Sequence, residues 1–353
     1  MDLLTSGLME ECVDQVNRDF ALPLLAKLPS ERLPTHQRNL TDVRTRIGVL
    51  LEYSFALALQ DALRTGGATD YRASFVVANQ YPDLIIRDAV SQPALRIEMK
   101  ALELISEEKS ANFDALVRDI HPQKDVLCIL VWEWANVDLE GTLVNFPEVK
   151  RGFAFEAYPI ARARDLGWLS QRPGEVKGVD VAGPVVGDTE SLREEEHNMG
   201  KLMRILGDKE VSALPEELAR HRDIEAYREF KDFTISAGLA HNAARLLEEL
   251  EIVVEAEEGF IHSTTSIQTV AHGVKKGSKK RVVVAAAGRL GKERLEAYGE
   301  QLQEAGITHA LALIFNEKFG WQVFDFDGGS PTEVDKGKKF ESALATVSSL
   351  LAL

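Results

Sequence analysis

The sequence predicts an α/β protein with a mixed central β-sheet flanked by helices, followed by a second, smaller α/β domain. Three observations predict it. Short runs rich in β-branched and apolar residues alternate with longer stretches of helical periodicity. The 353 residues are enough for two domains, each with its own core. The composition breaks between Ser170 and about Leu214, where Pro173, Pro184, several glycines and the acidic run Glu194, Glu195, Glu196 mark a linker. The expected division is a first domain over 1–170, a linker over 171–214 and a C-terminal domain over 215–353.

Thr41 is the expected N-cap of a helix reaching Arg64, with Val43, Ile47, Leu50, Leu51 and Ala58 at helical spacing and Gly66, Gly67 ending it. Three consecutive strands follow, Ser74–Ala78, Asp83–Arg87 and Leu95–Leu102, with a turn at Ser91, Gln92, Pro93 before the third. Ala111–Ile120 is expected to be a helix. Asp125–Trp134 alternates too little for a half-exposed strand and is expected in the centre of the sheet, with Cys128, Trp132 and Trp134 in the core. A strand Gly152–Glu156 and a helix Ile160–Trp168 complete this unit. After the linker come helices Pro215–Ala237 and His241–Glu251, then strand Arg281–Ala287, helix Arg289–Glu304, strands His309–Phe315 and Gly320–Asp325, and helix Gly337–Leu353.

The 45% apolar and 27% charged content is that of a globular protein, and no apolar run is long enough to span a bilayer. The first twenty residues carry Asp2, Glu10, Glu11 and Asp14 instead of the basic-then-apolar layout of a secretory signal, so a cytoplasmic location is expected. Cys12 and Cys128 stand far apart with no Cys or His neighbours at zinc-ligand spacing, so neither a disulfide framework nor a zinc site is expected. The net charge of -15 opposes nonspecific nucleic-acid binding, but the charge is uneven. Gly259 to Lys292 contains no acid and holds Lys275, Lys276, Lys279, Lys280, Arg281, Arg289 and Lys292.

The chemistry centres on the third strand. Period-two alternation places Leu95, Ile97 and Met99 on one face and Arg96, Glu98 and Lys100 on the other. The preceding strand opens at Pro82, Asp83, and a hairpin of this length returns Glu98 alongside Asp83. Two neighbouring carboxylates repel, and one gains a proton unless a cation lies between them. Magnesium is the natural cation, because it takes oxygen ligands and uses one or two protein carboxylates when acting on phosphate groups. Glu52 is the only charged residue between Ile47 and Leu59, in a stretch apolar on nearly every side. Either Arg46 compensates it, or it faces the same centre as Asp83 and Glu98.

The helix acid Glu52, the strand start Pro82, Asp83, and Glu98, Met99, Lys100 together resemble the PD-(D/E)xK nuclease superfamily, specifically its restriction-endonuclease-like members. The resemblance covers about residues 35–135. It implies a mixed sheet flanked by helices and Mg2+-dependent hydrolysis of DNA phosphodiester bonds. It also implies Asp83, Glu98 and Glu52 as metal ligands and Lys100 as the catalytic lysine. Sequence-specific restriction of foreign duplex DNA by a homodimer is the expected setting. A structure-selective repair nuclease and a non-catalytic DNA-binding protein are the rivals.

Arginine outnumbers lysine in the first domain, and Arg38, Arg44 and Arg46 cluster around the start of the first long helix as candidate DNA contacts. Lys275, Lys276, Lys279, Lys280 and Arg281 are candidates in the second domain. The order of elements from Arg281 onward looks like a second copy of the nuclease core in which Ala285 and Ala287 replace the Glu and the Lys. Such a copy suits recognition or dimerisation, the alternative being an accessory domain with a solvated basic loop.

Overall fold

The computed structural model describes residues 6–25, 40–76, 81–104, 111–139, 142–170, 200–206, 214–257, 267–277, 280–287, 290–316, 320–337 and 340–351. The chain is mixed α/β and forms two compact units, Met1–Lys231 and Asp232–Leu353, each built on a mixed sheet flanked by helices. The division falls at Lys231/Asp232, later than the 171–214 segment expected to separate the domains. No helix among the described residues is long and apolar enough to cross a membrane.

In the first unit, helices α1 (Ser6–Leu25) and α2 (Leu40–Thr65) precede five strands. These are β1 (Arg72–Phe75), β2 (Leu84–Arg87), β3 (Pro93–Glu103), β4 (Asp125–Leu139) and β5 (Thr142–Glu156), and helix α3 (Ala157–Ser170) follows. The sheet order is β1-β2-β3-β4-β5, with only β3 and β4 parallel. Strand alternation sorts the side chains into two layers. Leu95, Ile97, Met99, Val126, Cys128 and Leu130 pack with Leu51, Phe55, Ala58 and Leu59 of α2 and with Cys12 and Val16 of α1. On the opposite face Leu127, Ile129 and Val131 are buried, and Phe153 and Phe155 meet Tyr227 and Phe230 edge-on at 5.2–5.3 Å. β4 is central and buried through Trp132, as its weak alternation predicts, and Trp134 is half-buried against Trp132.

The helix expected over Ala111–Ile120 is absent. Phe113, Leu116 and Ile120 are buried at helical spacing, but the backbone runs as a connection with a single 3-10 turn, Val117–Asp119. Its polar groups are taken by other partners: Phe113 and Ala115 carbonyls accept from Arg164, and Phe113 N–H donates to Gly200.

Both cysteines are free and buried, on facing elements of one core. Burial pushes the Cys12 thiol up to about 12 and raises Cys128 further.

Between β5 and the strands of the second unit, the chain forms a short helix α4 (Glu216–Ala219) and the long helix α5 (Arg222–Glu249), within which the unit boundary falls. The sequence placed two helices here, broken near Gly238, but a glycine inside a helix costs only about 1 kcal/mol, and buried Leu239, Ala243, Leu246 and Leu247 continue the apolar face.

The second unit carries β6 (Ile252–Glu257), β7 (Ile267–Lys275), β8 (Arg281–Ala287), α6 (Lys292–Glu304), β9 (His309–Asn316), β10 (Trp321–Asp327), β11 (Ser330–Gly337) and α7 (Phe340–Leu351). The order is β11-β10-β9-β8-β7-β6, with only β8 and β9 parallel. The rest of α5 and α7 cover one face, and α6 covers the other. The topology repeats that of the first unit, an antiparallel run of three strands, a crossover, a parallel strand and an antiparallel return, with β11 added as a sixth strand at the edge. Residues 330–337 are a strand, where the sequence placed connecting chain before a helix starting at Gly337. Gly328 and Gly329 turn into it with φ of 54° and 78°, a two-residue hairpin loop of the kind that glycine permits.

Candidate active site

Hairpin register brings the first pair of acids together. Leu84 pairs with Ile97, so Asp83, one residue before β2, lies beside Glu98. Met99 N–H donates to Asp83 Oδ2 at 2.7 Å, which fixes the carboxylate against β3. Lys100 Nζ donates to Glu98 Oε1 at 2.8 Å, so the two side chains that alternation puts on one face also join each other. Glu98 is 8% exposed, and its Oε2 is buried with no hydrogen-bond partner.

Burial pushes the Glu98 carboxyl up, Lys100 opposes this, and Asp83 and Asp114 reinforce it. Burial alone would lower Lys100, but Glu98, Asp83 and Glu52 outweigh it and hold the ammonium more firmly charged than usual. Glu52 joins the same field. Gly48 of α2 passes over Ala101 of β3, and one turn later burial, Asp83 and Glu98, opposed by Lys100, push Glu52 up to about 7. Arg46, the other partner weighed for Glu52, is six residues away on the helix and so about 120° round its surface, where direct pairing is unfavourable. The four residues expected to act together thus share one electrostatic neighbourhood. Their acid content exceeds what one ammonium neutralises.

Comparison with protein-family models, curated proteins and solved structures gives no match.

The donor set suits a hard divalent cation. Asp83, Glu98 and Glu52 offer carboxylate oxygens, one of which is buried and unpaired, and their mutual repulsion is what a positive ion relieves. The ligand atoms of these three acids do not all lie within 4.8 Å of one another, since the one described group that meets that distance is Glu156, His221 and Asp223.

The Glu156, His221, Asp223 group was not foreseen in the sequence, and several of its atoms are already engaged. Asp223 Oδ2 accepts from Glu156 N–H at 3.1 Å, Arg222 donates to Glu156 Oε1 at 2.8 Å, and His221 Nδ1 accepts from Asp223 N–H at 3.3 Å. His221 Nε2 faces Glu156 Oε2 at 3.7 Å, and the three residues are close enough together to hold a metal ion. The group fastens the start of α5 to the end of β5.

A second unforeseen cluster lies next to the site. Tyr81 donates to Asp125 Oδ2 at 2.6 Å, His121 N–H donates to the same oxygen at 2.9 Å, and Arg96 Nε is 3.2 Å from Asp125 Oδ1. Arg96 also lies over the Tyr81 ring at 5.2 Å. These bonds hold the residues immediately before Asp83 against the starts of β3 and β4.

Of the expected DNA contacts, Arg38, Lys279 and the side chain of Arg44 lie outside the described residues. Arg46 is exposed on α2. Lys275 and Lys276 lie at the end of β7, in a β7–β8 hairpin that the sequence left as a basic loop. Lys280 pairs with Asp325 at 2.5 Å, and Arg281 pairs with Glu255 at 2.6 Å, so two of the basic candidates spend their charge on neighbouring acids.

Proposed function

We propose that the first unit is a Mg2+-dependent endonuclease of the PD-(D/E)xK type, with a restriction-endonuclease-like core, that hydrolyses phosphodiester bonds of duplex DNA. The observation that carries this reading is the buried Glu98. It is bonded to Lys100 through one oxygen, unpaired at the other, and placed by the hairpin register beside Asp83. A surface Glu-x-Lys pair shows none of these features.

Magnesium, when bound, supplies a Lewis acid for the phosphate and lowers the pKa of a water. Asp83 and Glu98 are the residues that would hold it, with Glu52 as a third acid. Lys100, kept protonated by its acidic neighbours, provides positive charge where the phosphate gains negative charge as water adds to phosphorus and a phosphorus–oxygen ester bond breaks. Glu52, with its pKa near neutrality, is suited to take up a proton at working pH. Met99 N–H holds the Asp83 carboxylate against β3, and the Tyr81–Asp125 bond fastens the chain just before it.

The second unit is a degenerate copy of this core. Thr269, half-buried, pairs with Ala285, and buried Ile267 with Ala287, so no acid or lysine stands where Asp83, Glu98 and Lys100 stand in the first unit. Recognition of the target and assembly of a homodimer, which gives two cutting centres for two strands, are its proposed roles.

Incubation of the full chain with mixed duplex DNA and Mg2+, beside Lys100→Ala and EDTA controls, tests the reading. Discrete fragments absent from both controls support a sequence-specific enzyme. Cutting confined to branched DNA indicates a structure-selective nuclease, and binding without cutting refutes catalysis.

A further inference from the structure

The start of α5 meets the end of β5, and three side chains converge at that junction. Glu156 is the last residue of β5, Asp223 lies in the first turn of α5, and His221 immediately precedes the helix. The backbone beneath them is set. The His221 carbonyl accepts from Ile224 N–H at 3.0 Å, which opens the helix, and the buried rings of Phe155 and Tyr227 meet edge-on at 5.3 Å.

Each carboxylate is held through one oxygen and leaves the other outside any hydrogen bond among the described residues. Asp223, 5% exposed, accepts from Glu156 N–H through Oδ2 at 3.1 Å, and Glu156 accepts from Arg222 through Oε1 at 2.8 Å. His221 Nε2 stands 3.7 Å from the remaining oxygen of Glu156, Oε2. That gap is too long for a hydrogen bond, which spans about 2.7–3.2 Å. It is close to the roughly 3.3 Å between two ligands of a tetrahedral zinc ion bound at about 2.0–2.1 Å. One ligand atom from each of Glu156, His221 and Asp223 lies within 4.8 Å of the other two. Closing them on one ion therefore takes movements of about an ångström or less per side chain.

We propose that Glu156, His221 and Asp223 form a second metal site, selective for Zn2+, that clasps the start of α5 to the end of β5. Imidazole beside carboxylates is a donor set for zinc, whereas magnesium and manganese go to oxygen-only sites such as Asp83 and Glu98. Three protein ligands leave the fourth position of the ion to water, and the His221 and Glu156 side chains, 34% and 25% exposed, give water its access. Nε2 binds through its lone pair, so the ring proton lies on Nδ1 in the metal form and the 3.3 Å contact from Asp223 N–H to Nδ1 opens. Arg222 Nε, 3.8 Å from Asp223 Oδ1, is the competing cation, and its side chain is 67% exposed and can turn to solvent. The site does not depend on the nuclease reading.

The test is Zn2+ binding to the full-length protein, stripped with EDTA and free of DNA, measured by titration calorimetry, with metal-free thermal unfolding recorded for every variant. Wild type and Asp83→Asn are expected to bind Zn2+ at this site with equal affinity, and Zn2+ is expected to raise the Tm of both. Asp83→Asn controls for zinc taken up by the acid centre. His221→Gln and Asp223→Asn are expected to bind at least tenfold more weakly and to lose the rise in Tm. The partly exposed His221 decides the matter if Asp223→Asn fails to fold. Co2+ in place of Zn2+ should give the visible absorption of a four-coordinate ion in wild type and not in His221→Gln. Equal Zn2+ affinity in wild type and His221→Gln, zinc lost only in Asp83→Asn, or a wild type that takes up no Zn2+ would each overturn the proposal.

Discussion

Glu52 gives the most direct physical test, because its state depends on the whole acid cluster. Its carboxyl is pushed from 4.5 to about 7 by burial, then by Asp83 and Glu98, against the opposing pull of Lys100. At about 1.4 kcal/mol per tenfold change in proton affinity, ionising it in the folded chain costs about 3 kcal/mol. The sign follows from proton binding: between about pH 4.5 and 7 the folded chain retains a proton that the unfolded chain has released. Stability contributed by this group is therefore fully present at the acid end and lost as pH rises through the window. Glu52→Gln carries no such dependence. Urea unfolding of the two proteins at about pH 4.5, 6 and 8 should show equal stability at the lowest pH and an advantage for the variant of about 3 kcal/mol at the highest. Millimolar Mg2+ should shrink that difference, since a nearby cation favours the ionised carboxylate. A gap that stays constant across the window would refute the placement of Glu52 among these charges. A gap indifferent to Mg2+ would refute the cation site.

Lys100→Met should lower single-turnover cleavage about 10²- to 10³-fold, as removal of a transition-state charge partner does. Tyr81→Phe removes the 2.6 Å bond to buried Asp125 and should cost about 1–3 kcal/mol in thermal unfolding, with kcat falling more than KM rises because Asp83 loses its support. Asp223→Ala should destabilise the first unit by about 1–2 kcal/mol through loss of the bond to Glu156 N–H, while calorimetry shows Mn2+ affinity unchanged.

The elements that place the site were legible because one periodicity governs them. Leu95, Ile97 and Met99 must face the core, so Glu98 and Lys100 share the other face, and the two-strand turn returns them to Asp83. Glu52 was legible as an anomaly, a lone charge in an apolar helix. What the sequence hid depends on partners distant in the chain. Phe113, Leu116 and Ile120 have the spacing of a helix, but the neighbouring carbonyls go to Arg164, some fifty residues on, and no local pattern announces that. β11 was missed although Gly328, Gly329 flanked by Asp327 and Ser330 is a hairpin signal, because its outward residues are nearly all polar and show no apolar face. The Asp125 cluster was invisible for the same reason as Arg164: its members come from three separate stretches of chain.

The two buried thiols make the native protein chemically quiet. A thiol whose pKa is held near 12 or above carries almost no thiolate at neutral pH, so alkylating reagents should pass over Cys12 and Cys128 while the core is closed. Because α1 and the central strand each contribute one of them to a single core, an opening of that core exposes both. Pulsed labelling of the unaltered chain would therefore time that opening. A single added surface cysteine, in turn, could carry a fluorophore without first removing the native pair.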